Sequence, residues 1–282
     1  MPVLDWTRTD IRYELENGAK ALYYNWTDLA LFDIFLLKRE NAREDYASEI
    51  ISAAENRFKN SSQEELEQLR HTILMGIPGE DSVSLDSLRE SIHTYAAIGR
   101  EGLQKNLIYF LESIAETCEK NGIRMTMHPD DPPYPILGLP RIAGSLEDYQ
   151  YFLQKVDKEF NGVCFCSGSL SSGENDIPKL FKALKSRVHF VHLRNVAKDD
   201  TGNFYESDHL DGVVDMAELM ELILAENQQR ERPIPFRPDH GHEILDDIGK
   251  KTNPGYSAIG RLKGLAELRG MENALIYKSR FS

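Results

Sequence analysis

A short apolar strand, a polar loop, an amphipathic helix and a second apolar strand follow one another in residues 163–193, VCFCSGSLSSGENDIPKLFKALKSRVHFVHL. The two apolar stretches, 163–166 and 188–193, are too short for typical helices and are apolar on both faces, which favours strands buried on both sides. The pattern over 176–185 predicts a helix between them. Together these segments predict one unit of a parallel α/β sheet.

The same alternation continues from this unit in both directions. Upstream, a strand pattern at 123–128 precedes a capped amphipathic helix at 145–160. Downstream, a helix at 215–229 leads to a strand at 234–237 and a final helix at 257–269. Four strand–helix units in succession predict a parallel sheet covered by helices. No glycine-rich phosphate-binding motif opens these helices, so the sequence does not support a dinucleotide or P-loop site.

The first part of the chain, to about residue 120, has apolar residues at helical rather than strand spacing. Apart from a few residues after Met1 it contains no convincing strand pattern, so we expect helices and loops. The predicted helices cover residues 27–39, 45–59, 62–74 and a long interrupted stretch from 84 towards 120.

Composition excludes several classes of protein. The chain has 282 residues, 33 Lys+Arg and 46 Asp+Glu, and a formal net charge of −13. This balance argues against a nucleic-acid-binding protein or a polybasic membrane-surface protein. No apolar run approaches the roughly 20 residues of a membrane span, and the start does not resemble a secretory signal. Three cysteines are too few for a disulfide framework, so we expect a cytoplasmic protein.

Each predicted parallel strand ends near a residue able to bind a metal ion: His128, Cys166, His192 and Asp239. Ligands bind at the carboxyl ends of strands in parallel α/β folds, so these four side chains are expected to converge. Two imidazoles, a thiolate and a carboxylate form a plausible set of donors for one divalent ion. Each residue alone is also compatible with a structural role, such as a buried cysteine or a loop-capping aspartate.

The motif RPDHGH at 237–242 concentrates titratable groups at the end of the last strand. His240 is a candidate general acid or base because imidazole titrates near neutral pH, and His242 is a candidate for orienting a ligand. Tyr256, in the nearby NPGY segment, either donates a proton or packs on the rim. The alternative interpretation of the motif is a polar turn.

Two further segments carry charged groups that are candidates for the site. In HPDDPP at 128–133, Asp130 and Asp131 either accept hydrogen bonds from ligand imidazoles or are solvated turn residues. Arg194 is a candidate for binding a substrate carboxylate in bidentate fashion. Its structural alternative is a salt bridge to the acidic loop at 199–200.

These motifs resemble those of one known family. The segments are MPVLDWTRT (1–9), MHPDDPPYPILGLPRI (127–142), CSGS (166–169), HLRN (192–195), RPDHGH (237–242) and TNPGYSAIGRLKGLAELRG (252–270). They closely resemble the mannonate dehydratases of hexuronate degradation, and the match runs from Met1 to the C-terminus.

The resemblance implies a xylose-isomerase-like TIM barrel that dehydrates D-mannonate to 2-dehydro-3-deoxy-D-gluconate with Mn²⁺, or with Fe²⁺ or another divalent cation. The family's metal ligands fall on the four strand-end residues named above. Its acid/base pair falls on His240 and Tyr256, in an order that the sequence leaves open. Substrate-side candidates are Arg194, Asp5, Trp6 and Arg8.

A closed (β/α)8 barrel needs eight strands, whereas the sequence shows four and the tail of one at 1–4. We therefore expect the C-terminal half of a barrel at 121–282, a helical insertion and barrel helix at 13–120, and the end of an upstream strand and loop at 1–12. A half barrel exposes apolar edges and faces, which predicts a homo-oligomer.

Two other functions remain open at this stage. One is a related metal-dependent sugar isomerase or epimerase, although such enzymes favour carboxylate-rich sites and this candidate site includes a thiolate. The other is an inactive fragment that binds metal without turnover, which the missing strands would favour.

Overall fold

The computed structural model describes Leu4, residues 6–75 and residues 83–280. The described residues form two four-stranded sheets surrounded by helices. The strands are β1 (Asp10–Glu14), β2 (Lys20–Tyr24), β3 (Met125–Met127), β4 (Asn161–Cys166), β5 (Val188–Leu193), β6 (Val196–Lys198), β7 (Phe204–Glu206) and β8 (Phe236–Pro238). The α-helices are α1 (Trp26–Leu31), α2 (Ser48–Asn60), α3 (Gln63–Leu74), α4 (Leu85–Asn121), α5 (Leu146–Lys155), α6 (Ser167–Ser172), α7 (Ile177–Leu184), α8 (Met216–Asn227) and α9 (Ala258–Ser279).

The parallel sheet has the strand order β3-β4-β5-β8 and confirms the four strand–helix units. Every residue of β4 is buried, and α4, α5, α7, α8 and α9 cover one face of the sheet. Along β4, Val163 and Phe165 pack into this helix-covered core. Side chains alternate between the faces of a strand, so Cys164 and Cys166 point to the opposite face. The register places Cys166 beside His192 of β5 on that same face.

The second sheet is antiparallel, with the order β1-β2-β7-β6. The expectation of a strand-free N-terminal part is therefore wrong. Strand β2 pairs with β7, so the partner of this segment lies about 180 residues further along the chain (Tyr23 pairs with Tyr205). Strand β2 also pairs with β1 in a local hairpin, and Asn17 and Gly18 lie in its turn, so the sequence carries a local hairpin signal that the helical interpretation overlooked.

The N-terminal helices largely confirm the prediction. The segment 27–39 forms α1 followed by a π-helical stretch, Phe32–Leu37. Helix α3 begins with a capping box of Ser62 and Glu65. Helix α4 is interrupted at Gly99, whose φ of 64° lies in the left-handed region that glycine tolerates. Among the described helices, none combines the length and the apolarity that crossing a membrane requires.

The description of the chain as a half barrel with an all-helical insertion is not supported, since β2 lies inside the predicted insertion and pairs with strands of the C-terminal part. The predicted strand tail at 1–4 lies outside the described residues apart from Leu4. The division at residues 12 and 120 stays a prediction.

Candidate metal centre

Four potential metal ligands from four different strand ends converge on the face of the parallel sheet that the helices do not cover. They are His128 after β3, Cys166 at the end of β4, His192 in β5 and Asp239 after β8. One donor atom from each lies within 4.8 Å of the donors of the others. The structure therefore brings together the four residues that the strand-end argument selected.

The thiol of Cys166 is held in its charged form. Burial alone would raise its pKa, but contacts with His128 and His192 lower the pKa to about 5. Conversely, burial would lower the pKa of His128, yet Cys166 and Asp239 raise it to about 9. The neighbouring Cys164 differs, because burial without such a partner raises the pKa of its thiol. On this face of β4, Cys166 is therefore a thiolate and Cys164 is a neutral thiol.

Asp239 completes the donor set as a carboxylate. Burial would raise its pKa, but the neighbouring imidazoles of His240 and His192 and the guanidinium of Arg194 lower the pKa to about 2. Its Oδ1 lies 3.5 Å from Nδ1 of His192, which has no hydrogen-bond partner among the described residues. On the other side of this ring, Arg237 Nε donates to His192 Nε2 at 3.0 Å.

These observations fit a divalent metal ion. A buried imidazole nitrogen without a hydrogen bond, a thiolate and an ionised carboxylate face one another, and each is a ligand of Mn²⁺, Fe²⁺ or Zn²⁺. Among the described residues, the guanidinium of Arg237, 3.3 Å from Asp239 Oδ1, is the nearest fixed positive charge to this pair of anionic donors. The four donor atoms are therefore sufficient in number and type to bind one divalent ion.

His240 lies beside this cluster and is buried. Its Nε2 lies 3.7 Å from Asp239 Oδ2 and accepts the indole N–H of Trp6 at 3.2 Å. Its Nδ1 lies 3.1 Å from Glu206 Oε1, an ion-pair distance without the alignment of a linear hydrogen bond. The ring of Tyr256 meets the imidazole edge to face, with centroids 5.2 Å apart. Burial and the carboxylate of Asp239 raise the pKa of Tyr256 to about 12.

A buried network of two arginines and two carboxylates contacts His240 at its Nδ1 atom. Arg194 donates to both oxygens of Glu206 at 2.6 and 2.7 Å and to Asp131 at 2.7 Å. Arg8 donates to Asp131 at 2.9 Å and to Glu206 at 3.2 Å. Arg194 thus pairs with Glu206 and Asp131, which corrects the alternative salt bridge to residues 199–200. Its predicted contact with substrate stays a prediction, as does that of Arg8.

The remaining sequence candidates have defined places. Asp130 is buried and accepts backbone N–H groups of Ile142 and Ala143, so it is not a solvated turn residue. His242 Nε2 lies 2.8 Å from the carbonyl oxygen of Glu206, and its Nδ1 lies 3.3 Å from Asp208. Asp5 lies outside the described residues.

Sequence reasoning missed Glu206. The residue lies in β7, a strand of three residues that the sequence pattern did not reveal. The local signal is weak: Glu206 directly follows two aromatic residues, Phe204 and Tyr205, which are common in strands. Nothing in that pattern connects it with His240, which follows 34 residues later.

Comparison with known proteins identifies the family. The family model described as D-mannonate dehydratase (UxuA) matches residues 1–281. The chain belongs to the mannonate dehydratase family. Within this family, the mannonate dehydratase of Rhizobium meliloti (strain 1021) is 48% identical over 286 residues, covering 98% of this chain and 71% of that protein. Mannonate dehydratase 1 of Agrobacterium fabrum (strain C58 / ATCC 33970) is 46% identical over 286 residues, with the same coverage.

A solved mannonate dehydratase has the same fold. The crystal structure from Streptococcus suis serotype2 matches 99% of this chain and 64% of its own chain, with 29% identity and a TM-score of 0.70. The chain thus spans just under two thirds of that structure and about seven tenths of the two curated relatives. The α/β class and the family resemblance are confirmed. The comparisons do not bear out the prediction of half a barrel, since the solved structure matches 99% of this chain. The comparisons favour neither the isomerase nor the inactive-fragment alternative.

Proposed function

We propose that this chain catalyses the metal-dependent dehydration of D-mannonate to 2-dehydro-3-deoxy-D-gluconate, a step of hexuronate catabolism. The observation that carries the proposal is the convergence of the four donor side chains beside His240 and Tyr256, in a chain of the mannonate dehydratase family. The names of the relatives indicate the substrate, and the arrangement of the described residues supports the chemistry.

The ion would be held by His128, Cys166, His192 and Asp239, and we propose Mn²⁺, with Fe²⁺ as the alternative. When bound, it would supply Lewis-acid stabilisation of the negative charge that develops on a sugar acid as its C2 proton leaves. A thiolate among the ligands is also compatible with Zn²⁺.

We propose that His240 removes the C2 proton and that Tyr256 protonates the departing C3 hydroxyl. Nε2 of His240 accepts a hydrogen bond from Trp6, so it carries a lone pair, as a general base must. The raised pKa of Tyr256 keeps its phenol protonated at neutral pH, as a general acid must be. The C2–H and C3–O bonds break, water leaves, and the resulting enol takes up a proton at C3 to become the 2-keto acid.

Three further features belong to the proposal. Trp6 is a substrate-side residue in this proposal, because its indole N–H lies against Nε2 of His240. The parallel strands form part of a TIM-type barrel wall, as the family resemblance implies. The protein acts in the cytoplasm as a homo-oligomer.

The direct test is formation of a 2-keto acid from D-mannonate by the purified chain, with and without Mn²⁺, beside the Cys166→Ala variant. Metal-dependent product that the variant fails to form supports the proposal. Product that is independent of added metal and resistant to a chelator would overturn the metal requirement. No product in any condition, from a chain that binds Mn²⁺, would overturn the proposed activity.

A further inference from the structure

We propose that Glu206 is a positioning residue that holds the ring of His240 in one orientation and one tautomer, with the proton on Nδ1 and the lone pair on Nε2. The proposal deepens the function given above and rests on it for its catalytic meaning. The tautomer itself is a property of the metal-free chain and can be measured without substrate.

The first support is the chemistry of the partner at Nδ1. Glu206 Oε1 lies 3.1 Å from this nitrogen and also accepts from Arg8 at 3.2 Å and from Arg194 at 2.6 Å. Burial would raise the pKa of Glu206, but the two arginines and His240 hold the pKa well below its usual range. An ionised carboxylate has no proton to donate, so it favours an N–H and disfavours a lone pair at Nδ1.

The second support is the partner on the opposite side of the ring. The indole nitrogen of Trp6 donates a hydrogen bond and cannot accept one, and it lies 3.2 Å from Nε2 of His240. This contact favours the lone pair at Nε2 and disfavours a proton there. The carboxylate and the indole therefore select the same neutral tautomer from opposite sides. Because Trp6 and Glu206 lie at most 7% exposed, water offers little competition for either contact.

The third support is the rigidity of Glu206. Arg194 binds both of its carboxylate oxygens through a two-pronged contact, at 2.7 Å from Nε and 2.6 Å from a terminal nitrogen. Such a paired contact fixes the direction of a carboxylate as well as its distance. Asp131 accepts from the same two arginines and so holds their guanidinium groups from the other side. The network therefore holds Oε1 of Glu206 at 3.1 Å from Nδ1 of His240.

The tautomer is read directly by NMR of metal-free chain labelled with ¹⁵N at histidine. The His240 ring signals are assigned by their loss in His240→Gln. We expect the two-bond and three-bond proton couplings of a ring protonated at Nδ1 with an unprotonated Nε2. A neutral His240 protonated at Nε2 overturns the proposal, and this measurement needs no variant of Glu206.

The role of Glu206 is tested with Glu206→Gln, and Asp131→Asn serves as the matched control because it neutralises the other carboxylate of the same arginine pair. We expect Glu206→Gln to give a mixture of His240 tautomers and to lower kcat by roughly 10–100-fold, the usual cost of losing an orienting partner. KM and the Kd for Mn²⁺ should stay close to those of the unchanged protein, since Glu206 is not one of the four converging donors. Asp131→Asn should keep the single tautomer.

Three results would overturn the positioning role. They are an unchanged tautomer in Glu206→Gln, an equal shift of tautomer in Asp131→Asn, and a loss of activity that appears only in KM or in metal affinity. Should the chain prove inactive on D-mannonate, the tautomer experiments still decide this inference, because they need neither substrate nor turnover. Failure of the proposed function and failure of the positioning role are thereby distinguishable.

Discussion

Replacing Cys166 with alanine is expected to weaken Mn²⁺ binding by about two orders of magnitude, because it removes one of four converging donors. Structural zinc sites with four protein ligands hold their ion by about 10–16 kcal/mol, or about 3 kcal/mol for each ligand, and we expect the loss of one ligand here to be of that order. The low pKa of Cys166 increases its contribution to Mn²⁺ affinity. A thiol with the ordinary pKa of 9.0 would have to lose its proton at pH 7, at a cost of about 2.7 kcal/mol, whereas Cys166 is already a thiolate.

The expected effect can be measured as a thermal shift. An ion at 100 times its Kd stabilises the folded state by about 2.7 kcal/mol, which raises Tm by roughly 5–10 °C for a chain of this size. At the same Mn²⁺ concentration, a variant with a hundredfold weaker site gains only about 0.4 kcal/mol and about 1 °C. Each variant is compared with its own metal-free form, so that any loss of stability from the substitution itself cancels.

The control is Cys164→Ala, which removes a buried cysteine from the same face of β4 two residues earlier. Its thiol is not among the four converging donors, and its pKa is raised by burial. This variant should keep the full thermal shift and the Kd measured by isothermal titration calorimetry. A Cys166→Ala chain that retains the full shift would refute the ligand assignment, as would an equal loss in Cys164→Ala.

The remaining predictions concern the acid/base group, a close contact and a helix cap. His240→Asn should keep the Kd for Mn²⁺ and lower kcat by about 10²–10⁴-fold, so an equal loss of metal affinity would contradict the division of roles. Gly168→Ala should lower the free energy of unfolding in urea by about 1–3 kcal/mol, because its Cβ would lie 2.3 Å from Cγ of Arg194; a change below about 0.5 kcal/mol would show that the arginine yields freely. Ser145→Ala should cost about 1 kcal/mol in the same assay, because Ser145 caps α5 through the backbone N–H of Asp148, and Ser145→Asp should restore most of it.

The parallel sheet and its four donor residues could be predicted because their signals are local. Each strand–helix unit shows its own change of periodicity over about 30 residues, as between Val163 and Leu193. Parallel strands align their carboxyl ends at one edge, so a polar residue at each end is enough to predict that His128, Cys166 and the others converge. The family motifs lie at the same strand ends, which is why the two lines of reasoning agree.

The antiparallel sheet and the charge network could not be predicted in this way. Strands β1 and β2 form a local hairpin whose Asn17-Gly18 turn is a recognisable signal. The pairing of β2 with β7 joins distant segments, and the three residues of β7 carry no distinctive periodicity. The contact between Arg8 and Glu206 spans 198 residues, and that between Trp6 and His240 spans 234. Such contacts depend on the path of the whole chain.

The sequence by itself therefore determined the chemical inventory of this protein: an acidic α/β chain with two imidazoles, a thiol and a carboxyl group at strand ends, followed by His240 and Tyr256. Only the tertiary structure decided how these groups are charged and which way they face. A lone Glu206 is an ordinary acidic residue until Arg8, Arg194 and His240 surround it in the absence of water. Burial makes each of those contacts strong and directional, because the low-polarity interior leaves every charge dependent on the few partners that the fold places beside it.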